Sequence, residues 1–382
     1  MNAMGRPRIL LVSIGMYGRK YLAEATEKDV GGDVAGIVDI AQGLEEKYPV
    51  ILEKQIPLFQ SLDAFFAAGH ADLAVISSPI HMHTPMVLSC LARGASVLCE
   101  KPLCLTEEET RTISDAARNA NRFVALGWQL NYDRAVLALK KDISAGRFGA
   151  PKRFKCLHAM RRGNNYYARS NWAGKITADG REVLDSPFMN ACAHQFQMMT
   201  FLLGGEKGRP AEITSGEGEL YRGNPTVENF DIAALRFMTE TGVPLLYYTA
   251  HPLQAKNLGP EGTGEFEHAT LTWGREKPFR VVTDTGEEII YGSAETPMMQ
   301  KLYDAVDCVK SGGAPLCGPE AGLAHLRAVR IARQWPVRDV DPAHVNWMEL
   351  ENDRVPCVQR LEENLAACAA HWALPRELGI TL

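Results

Sequence analysis

The sequence of 382 residues contains no apolar run of about twenty residues, the length that a membrane-spanning helix requires. The longest candidate, at 188–203, is interrupted by an asparagine, a histidine and two glutamines. The apolar residues 9–12 follow two arginines but do not lead into a small-residue cleavage site, as a signal peptide would. We therefore expect no association with a membrane, and we interpret residues 9–12 as part of a first β-strand.

Cysteine pairs of the C-x-x-C type are also absent, and the nine cysteines are scattered. The sequence therefore predicts neither a disulfide framework nor a cysteine zinc site, and it favours a reducing cytoplasm. His81 and His83 lie close together, but no second group of ligands accompanies them, so we expect no metal. The net charge is small, −5 from 41 basic and 46 acidic residues. It argues against nucleic acid as a partner, because nucleic-acid-binding proteins carry a basic surface patch.

What remains is an ordinary globular composition, 46% hydrophobic and 23% charged, over a length typical of two domains. In the first third of the chain, buried-strand patterns alternate with helical patterns. We predict strands at 8–14, 34–40, 72–77, 96–99 and 123–126, and helices at 16–28, 61–68, 84–93 and 106–119. This order predicts an α/β fold in which a doubly wound parallel sheet, at 6–127, carries helices on both faces.

After Gly127 the pattern changes to strands in which polar and apolar residues alternate, as in an antiparallel sheet with one solvated face. We predict strands at 152–160, 211–220, 230–238, 243–251, 266–273 and 279–283, and helices at 134–145, 187–203, 297–311, 319–334 and 356–372. The sequence therefore predicts an α+β domain at 128–335. Residues 336–382 are expected to form a C-terminal helical extension that packs on the domains or in an oligomer.

The turn after the first strand is similar to a dinucleotide-binding loop. It contains Ser13, Gly15, Met16, Tyr17 and Gly18. Glycines in such a loop allow a tight turn, close approach of a pyrophosphate and packing of the helix on the strand, and serine replaces the first of them here. Asp39, at the end of the second strand, can accept hydrogen bonds from ribose hydroxyls and would repel a 2′-phosphate. We therefore expect the loop to bind a dinucleotide, and NAD rather than NADP. The alternative is that the loop is an ordinary tight turn that binds no cofactor.

Two further segments end parallel strands, where open α/β sheets bind their ligands. Glu100 and Lys101 follow the fourth strand, and a lysine there can donate to a substrate hydroxyl or carbonyl. A surface lysine paired with Glu100 is the alternative. Ser78 and Pro79 close the third strand, and His83 is expected to open the next helix or to pack against it.

A third feature is the predicted helix at 187–203, which Ser186 caps and Pro187 opens. Asn190 and His194 are four residues apart, so they would share one helical face. A histidine on an otherwise apolar helix is either a satisfied core residue or a catalytic one. Both interpretations stay open from these residues alone.

Two regions are candidates for a substrate pocket. Trp128 and Gln129 follow the fifth strand, near the expected position of a nicotinamide, although the tryptophan ring could instead pack at the domain junction. The segment at 161–175 is rich in donors and aromatic side chains, among them Tyr166 and Arg169. Such residues suit a polyhydroxylated or acidic ligand, because aromatic faces cover sugar rings and arginine binds carboxylates. A solvated loop or a subunit contact is the alternative.

Taken together, these features resemble the Gfo/Idh/MocA family, the glucose–fructose and inositol dehydrogenase-like oxidoreductases, over residues 6–335. The resemblance rests on the glycine loop with Asp39, on Ser78-Pro79 with His83, on Glu100-Lys101-Pro102 and on the helix with His194. The predicted strand at 266–273 and the helix that begins at Pro319 also fit the layout of the family.

The resemblance implies a Rossmann domain followed by a domain with a large, mostly antiparallel sheet, whose open face often serves oligomerisation. It implies reversible hydride transfer between NAD(P) and a hydroxyl of a sugar, polyol or sugar acid. Lys101 matches the family lysine that contacts the reacting hydroxyl, and His194 matches the histidine that acts as general acid or base. Asn190 stands where the family often has an aspartate, and an asparagine adds no charge beside that histidine.

We therefore expect an NAD-dependent dehydrogenase that is cytoplasmic and a homo-oligomer, a dimer or tetramer through the C-terminal sheet. Cofactor contacts are expected from Ser13, Gly15, Met16, Tyr17, Gly18, Asp39, Ser78, Pro79, His83, Glu100, Lys101 and Gln129. Substrate contacts are expected from Lys101, Trp128, Tyr166, Arg169, Asn190 and His194. The alternatives are an NAD-retaining epimerase or glycosidase, which would use the same side chains, and a non-catalytic ligand sensor.

Overall fold

The computed structural model of the protein describes residues 5–205, 208–294 and 297–381. The α-helices of this part are α1 (Gly18–Glu27), α2 (Leu44–Lys47), α3 (Val50–Glu53), α4 (Leu62–Ala68), α5 (His83–Ala92), α6 (Glu107–Asn119), α7 (Arg134–Ser144), α8 (Asn164–Ala168), α9 (Ala193–Leu203), α10 (Gln300–Ser311), α11 (Leu323–Ala332) and α12 (Leu361–His371). The strands of the same part are β1 (Arg8–Val12), β2 (Asp33–Val38), β3 (Leu58–Phe59), β4 (Leu73–Ile76), β5 (Ser96–Cys99), β6 (Val124–Leu126), β7 (Pro151–Met160), β8 (Thr177–Ala178), β9 (Arg181–Glu182), β10 (Ile213–Arg222), β11 (Ile232–Thr239), β12 (Pro244–Ala250), β13 (Asn257–Phe266), β14 (Ala269–Gly274), β15 (Lys277–Thr283), β16 (Glu288–Gly292), β17 (Val337–Asp339), β18 (Val345–Leu350) and β19 (Asp353–Val358).

The chain forms two compact units. The first comprises Met1–Tyr132 and Thr296–Gly322, and the second comprises Asp133–Glu295 and Leu323–Leu382. The first unit therefore includes α10, which lies inside the range predicted for the second domain. Leu302 and Val306 of α10 are buried in the same core cluster as Leu11 of β1. The amphipathic spacing of a helix predicts that it has an apolar face, but not which sheet that face will cover.

The first unit contains a six-stranded parallel sheet in the order β3-β2-β1-β4-β5-β6. Strands β4 and β5 are buried at every position, as expected of strands that are covered on both faces. The strand order reverses between β1 and β4, and ligands of such sheets bind outside the carboxyl ends of the strands at that point. The predicted doubly wound α/β fold is confirmed.

The helices are short, and residues next to them in the sequence mark where they begin and end. Ser61 caps α4 by accepting a hydrogen bond from the Ala64 N–H, and Thr106 caps α6 in the same way from the Glu109 N–H. Gly94, just after α5, has a φ of +78°, which glycine adopts without strain. Within the residues that the structure describes, no helix is long and apolar enough to span a membrane.

The second unit is built on a nine-stranded sheet in the order β16-β15-β14-β13-β7-β12-β11-β10-β17. The pairs β7–β12 and β10–β17 are parallel, and the other neighbours are antiparallel. On one face, Phe196 of α9 packs edge-on against Phe237 and Tyr247. On the opposite face, Leu361 and Leu365 of α12 join a core cluster with the sheet. The predicted large, mostly antiparallel sheet is confirmed.

The strand predicted at 266–273 corresponds to β14 (Ala269–Gly274), whereas Phe266 is the last residue of the preceding strand, β13. Strand β13 is absent from the prediction since its glycines weaken the strand pattern. A Cβ atom at Gly262 would lie 2.0 Å from the Trp273 ring, and one at Gly264 would lie 2.6 Å from the Phe154 ring. These glycines therefore make room for aromatic side chains of neighbouring strands, a requirement that only the paired sheet reveals.

The C-terminal segment differs from the predicted helical extension. It begins with a hairpin of β18 and β19, in which Pro356 lies opposite Trp347, and α12 follows at Leu361. A proline is common at the first position of a helix, which suggested a helix from 356, but it also occurs in edge strands such as this two-stranded ribbon. The short strand β3 was likewise not predicted, because two residues cannot show a period.

Candidate active site

The loop from β1 to α1 places its glycines where a dinucleotide-binding turn needs them. Ser13 has a φ of +63°, in the left-handed region where glycine is less strained. A Cβ atom at Gly18 would lie 2.0 Å from the Ser13 carbonyl oxygen, so a side chain there would push α1 away from the loop. A Cβ atom at Gly15 would meet no atom within 4 Å, so the backbone at this position is open to a ligand.

Asp39 braces this loop. Its carboxylate accepts hydrogen bonds from the Ile14 N–H at 2.8 Å and from the Ala41 N–H at 2.9 Å. The side chain directly follows β2 and is buried. A carboxylate offers about four acceptor positions, so positions remain for the hydroxyl groups of a ligand. Asp39 can therefore hold the loop and contact a ribose at the same time.

The turn after β4 brings Ser78, Pro79 and His83 to the same sheet edge, because β4 pairs with β1. His83 is buried, with Nδ1 2.7 Å from the Pro102 carbonyl oxygen and Nε2 2.9 Å from the Ser78 carbonyl oxygen. Burial lowers the pKa of His83, and the contacts with the two carbonyls only partly oppose this. The ring therefore joins the turns that follow β4 and β5. The buried Ser78 hydroxyl has no hydrogen-bond partner among the described residues.

A buried ion pair supports the backbone of Lys101. The Glu100 carboxylate accepts hydrogen bonds from the Lys301 ammonium and, at 2.6 Å, from the Tyr21 hydroxyl. Burial alone would raise the pKa of Glu100, but the charge and hydrogen bond of Lys301 hold that pKa below its ordinary value. The second carboxylate oxygen accepts from the Lys101 N–H at 3.3 Å. Glu100 thus faces inward and fixes the chain from which the half-buried Lys101 extends.

Lys301 is one residue of this site that sequence reasoning missed. It belongs to α10, and its ammonium also lies 3.4 Å from the Tyr17 hydroxyl and 3.4 Å from the Gly127 carbonyl oxygen. One signal was available, since Lys301 is four positions before the buried Ala305 and so lies on the apolar face of the helix. A lysine on such a face indicates a buried anionic partner, but spacing alone does not say which one.

Four further predicted residues belong to the same unit. The Tyr17 hydroxyl lies 3.4 Å from Gln129 Oε1, which extends the polar contacts of the ion pair. Met16 is exposed on the glycine loop. Trp128 is only 1% exposed, and its ring lies beside Gly322. Gln129 is therefore better placed than Trp128 to reach a ligand.

In the second unit, the helix predicted at 187–203 is divided in two. A π-helical turn, Pro187–Ala191, precedes α9, and Ser186 caps it by accepting a backbone hydrogen bond. Asn190 lies on this turn and His194 lies in the first turn of α9, and both are half-buried. Such π-turns are rare and occur often at functional sites. A π-helical turn contains more residues than an α-helical turn, so the relative orientation of Asn190 and His194 differs from the shared face that their four-residue spacing predicts.

Asn190 has a carboxylate partner that the sequence analysis did not identify. Its side-chain amide donates to Asp185 Oδ1 at 2.9 Å, and the other Asp185 oxygen accepts from the Gly174 N–H at 2.7 Å. Asp185 is buried. The negative charge that Asn190 lacks is therefore present one hydrogen bond away, and this charge also anchors the segment around Gly174.

Tyr166 and Arg169, predicted to contact substrate, pack against each other. The Arg169 guanidinium lies 3.5 Å from the centre of the Tyr166 ring, a cation–π contact, and the Tyr166 ring lies 5.4 Å from the ring of His251. Burial raises the pKa of Tyr166 to about 12, so its hydroxyl remains protonated and can donate. The predicted donor-rich segment is thus largely packed in the second unit.

The carboxyl edge of the first sheet fits a dinucleotide. The open backbone at Gly15, the unpartnered Ser78 hydroxyl and the remaining acceptor positions of Asp39 suit a pyrophosphate and a ribose. In the part of the chain that the structure describes, no three His, Cys, Asp or Glu side chains are grouped so as to hold a metal ion.

Comparisons with known proteins agree with this geometry. Residues 8–128 match the family described as Oxidoreductase family, NAD-binding Rossmann fold (GFO_IDH_MocA). The chain is 32% identical over 160 residues to an inositol 2-dehydrogenase of Pseudomonas savastanoi pv. phaseolicola. This alignment covers 41% of the present chain and 47% of that protein. A similar protein, the inositol 2-dehydrogenase of Burkholderia cenocepacia, is 26% identical over 335 residues, 84% of this chain and 91% of that protein. The chain spans about half the length of this first protein and of several other curated relatives that it matches.

The fold is also found among solved structures. The WlbA dehydrogenase of Bordetella pertussis, solved in complex with NADH and UDP-GlcNAcA, superimposes with a TM-score of 0.71 at 19% identity. This match covers 92% of the present chain and 98% of the other, so the likeness extends to the second unit. The resemblance seen in the sequence is confirmed by these matches: residues 8–128 match the NAD-binding Rossmann domain of the Gfo/Idh/MocA oxidoreductases, and the chain is similar over most of its length to an inositol 2-dehydrogenase.

Proposed function

We propose that the protein is an NAD-dependent dehydrogenase that acts on a CH–OH group of a sugar, polyol or sugar acid. The observation that carries this proposal is the position of Lys101, held at the end of β5 by the buried Glu100–Lys301 pair, at the same sheet edge as the open Gly15 loop. The inositol 2-dehydrogenases among its relatives support the same class of substrate.

The glycine loop and Asp39 would hold the dinucleotide. When bound, NAD supplies the hydride acceptor. The backbone at Gly15 lets the pyrophosphate approach the start of α1, whose N-terminal N–H groups favour anions. Asp39 accepts hydrogen bonds from the ribose hydroxyls and repels a 2′-phosphate, which supports NAD over NADP.

Lys101 and His194 are the proposed catalytic residues. The Lys101 ammonium donates to the reacting oxygen and stabilises the negative charge that develops there as the hydroxyl proton leaves. His194 takes that proton as a general base and returns it as a general acid in the reverse direction. Assistance of this kind is worth roughly a hundred- to ten-thousandfold in rate. Asn190, held by Asp185, orients a substrate hydroxyl or the imidazole.

We further propose that the protein acts in the cytoplasm and as a homo-oligomer through its second sheet. The nine cysteines are all free thiols, as a reducing compartment would keep them. Strand β16 is an edge of the sheet and exposes Ile290, which is 60% accessible. An exposed edge strand can pair with the same strand of another copy.

The test is Lys101→Met in the full-length protein. We expect the fold and the affinity for NAD to be kept, while kcat for any accepted sugar or polyol falls by roughly a hundredfold or more. Lys101→Arg should restore little activity, because a planar guanidinium does not replace a compact ammonium. Lys54→Met, at an exposed lysine of the same unit, is the matched control. A folded Lys101→Met protein with full turnover would remove the proposed role of Lys101.

A further inference from the structure

Arg162 and Arg169 in the second unit carry positive charge without a carboxylate partner among the described residues. Both side chains are half-buried, and the Nε atom of each is enclosed and has no hydrogen-bond acceptor among the described residues. The Arg162 guanidinium donates to the Arg161 carbonyl oxygen at 3.1 Å and to the weakly accepting Met160 sulfur at 3.8 Å. In the part of the chain that the structure describes, no Asp or Glu oxygen lies within 4.0 Å of either guanidinium. Enclosed charges in folded proteins are normally paired.

An aromatic group holds the two arginines in place. The Arg169 guanidinium lies 3.5 Å from the centre of the Tyr166 ring, and that of Arg162 lies 4.9 Å from the same centre. Arg169 also lies 5.2 Å from the centre of the Trp172 ring. Arg169 also forms a side-chain hydrogen bond with Tyr166. Cation–π contacts hold the guanidinium planes without using the N–H groups, and each guanidinium has five of these, so donors remain for an oxyanion.

Neutral donors lie beside these charges. His251 is 1% exposed, its Nδ1 lies 2.7 Å from the Tyr167 hydroxyl, and its Nε2 has no partner among the described residues. Burial, and then the charges of Arg162 and Arg169, hold the pKa of His251 well below its ordinary value. In the tautomer in which Nδ1 accepts from the Tyr167 hydroxyl, the ring carries its hydrogen on Nε2. A buried ring nitrogen without a partner among the described residues, next to two arginines, indicates a site that a ligand completes.

The same residues are connected to the proposed catalytic helix. The backbone N–H of Arg162 donates to the His251 carbonyl oxygen at 3.1 Å. Asp185, whose charge acts on Tyr166, is engaged by Gly174 and by the Asn190 amide. Asp185 therefore accepts hydrogen bonds both from the loop and from Asn190.

We infer that Arg162, Arg169 and His251 bind an anionic group of the substrate, a carboxylate or a phosphate ester attached to the sugar frame. Two arginine forks provide charged hydrogen bonds to such a group, and a neutral imidazole N–H adds a third donor. This inference rests on the proposed function, since it names the substrate class of that dehydrogenase. A neutral polyol would leave both arginines without a counter-charge, so it is the less suitable substrate.

The test compares sugars that differ only at one carbon. D-Glucose, D-glucuronate and D-glucose 6-phosphate carry a hydroxyl, a carboxylate and a phosphate at the same position, and D-galactose with D-galacturonate forms a second series. Binding to the full-length protein with NAD present is measured by calorimetry, and NADH formation is followed separately by absorbance. We expect at least one anionic sugar to bind tenfold or more tightly than its neutral parent, the scale of a charged hydrogen bond.

Arginine variants test which side chains cause the preference for an anionic sugar. Arg162→Gln and Arg169→Gln should each weaken binding of the anionic sugar by roughly ten- to a hundredfold, with little change for the neutral parent. Arg161→Gln removes the same charge at the adjacent position, where the guanidinium donates to the Gln254 carbonyl oxygen, and should leave binding unchanged. Arg169→Lys, which keeps the charge and the fold but loses the fork, should bind with intermediate affinity.

The outcomes separate this inference from the function on which it rests. Anionic sugars that bind no more tightly than their neutral parents would overturn the inference, and so would equal losses in the Arg161 and Arg162 variants. Oxidation of neutral sugars that is unaffected by either arginine variant would overturn it while leaving the dehydrogenase proposal intact. Arginine-dependent binding of a sugar acid without NADH formation from any sugar would support the anion site and contradict the proposed reaction.

Discussion

The ammonium of Lys301 donates to the carboxylate of Glu100, and these two residues, 201 positions apart in the chain, form a buried ion pair. Glu100 in turn accepts from the backbone N–H of Lys101. A carboxylate that sits next to the proposed catalytic lysine in the sequence is therefore committed to a different lysine.

We expect Lys301→Met to destabilise the protein by about 3–5 kcal/mol, because it leaves the Glu100 carboxylate buried without a counter-charge. Urea unfolding at neutral pH measures this loss. The double variant Glu100→Gln with Lys301→Met should recover part of the stability, since no isolated charge remains. If the double variant is as unstable as the sum of the single ones, the two residues do not interact as an ion pair.

The glycine loop offers a matched pair of variants. Gly18→Ala should destabilise the fold, because its Cβ atom would lie 2.0 Å from the Ser13 carbonyl oxygen. Gly15→Ala should leave the unfolding midpoint nearly unchanged, since its Cβ atom meets no atom within 4 Å, and should still weaken NAD binding by obstructing the pyrophosphate. Thermal unfolding and calorimetric titration with NAD are the two measurements. Normal NAD affinity in a folded Gly15→Ala protein would contradict the assigned cofactor position.

Asn190→Asp introduces the residue type that is often present in the family, and we expect it to lower the free energy of unfolding of this protein. The new carboxylate would lie beside the buried Asp185, and two adjacent carboxylates raise the pKa of one of them. A raised pKa in the folded state means that the penalty is small near pH 4 and grows as the pH rises toward neutrality. Unfolding free energies of variant and wild type between pH 4 and 8 test this sign, and a difference that stays constant with pH would rule it out.

Asp231 should make the protein less stable as the pH rises from 4 to 7. Burial raises its pKa to about 7, although the Gly223 and Asn224 N–H groups donate to its carboxylate at 2.7 and 2.8 Å. Between the ordinary carboxyl pKa and 7, the folded state holds a proton that the unfolded state has released, so stability falls with rising pH. The full effect is at most about 4 kcal/mol. Asp231→Asn should remove this dependence in denaturant titrations, and an unchanged pH profile in the variant would show that Asp231 is ionised throughout.

Much of the first unit could be predicted from the sequence because its signals are local. A buried strand such as β5 reads as a short apolar run, and Ser61 and Thr106 mark helix starts through their own side chains. Gly15 and Asp39 could be proposed as cofactor residues because their spacing from the first strand is itself the motif. Strand β13 was not predicted, because its glycines make room for aromatic rings of neighbouring strands and interrupt the alternation of polar and apolar residues within β13 itself.

What the sequence by itself determined was the kind and order of the elements and the residues at the ends of the parallel strands, since these depend on neighbours a few positions away. The tertiary structure alone decided which charges meet and which do not. Lys301 reaches Glu100 only because α10 packs on the first sheet, and Tyr167 reaches His251, 84 positions later, only because the second sheet forms. The same folding leaves Arg162 and Arg169 without a carboxylate among the described residues. Periodicity and spacing describe one segment at a time, whereas the partner of a buried charge is set by where distant segments pack.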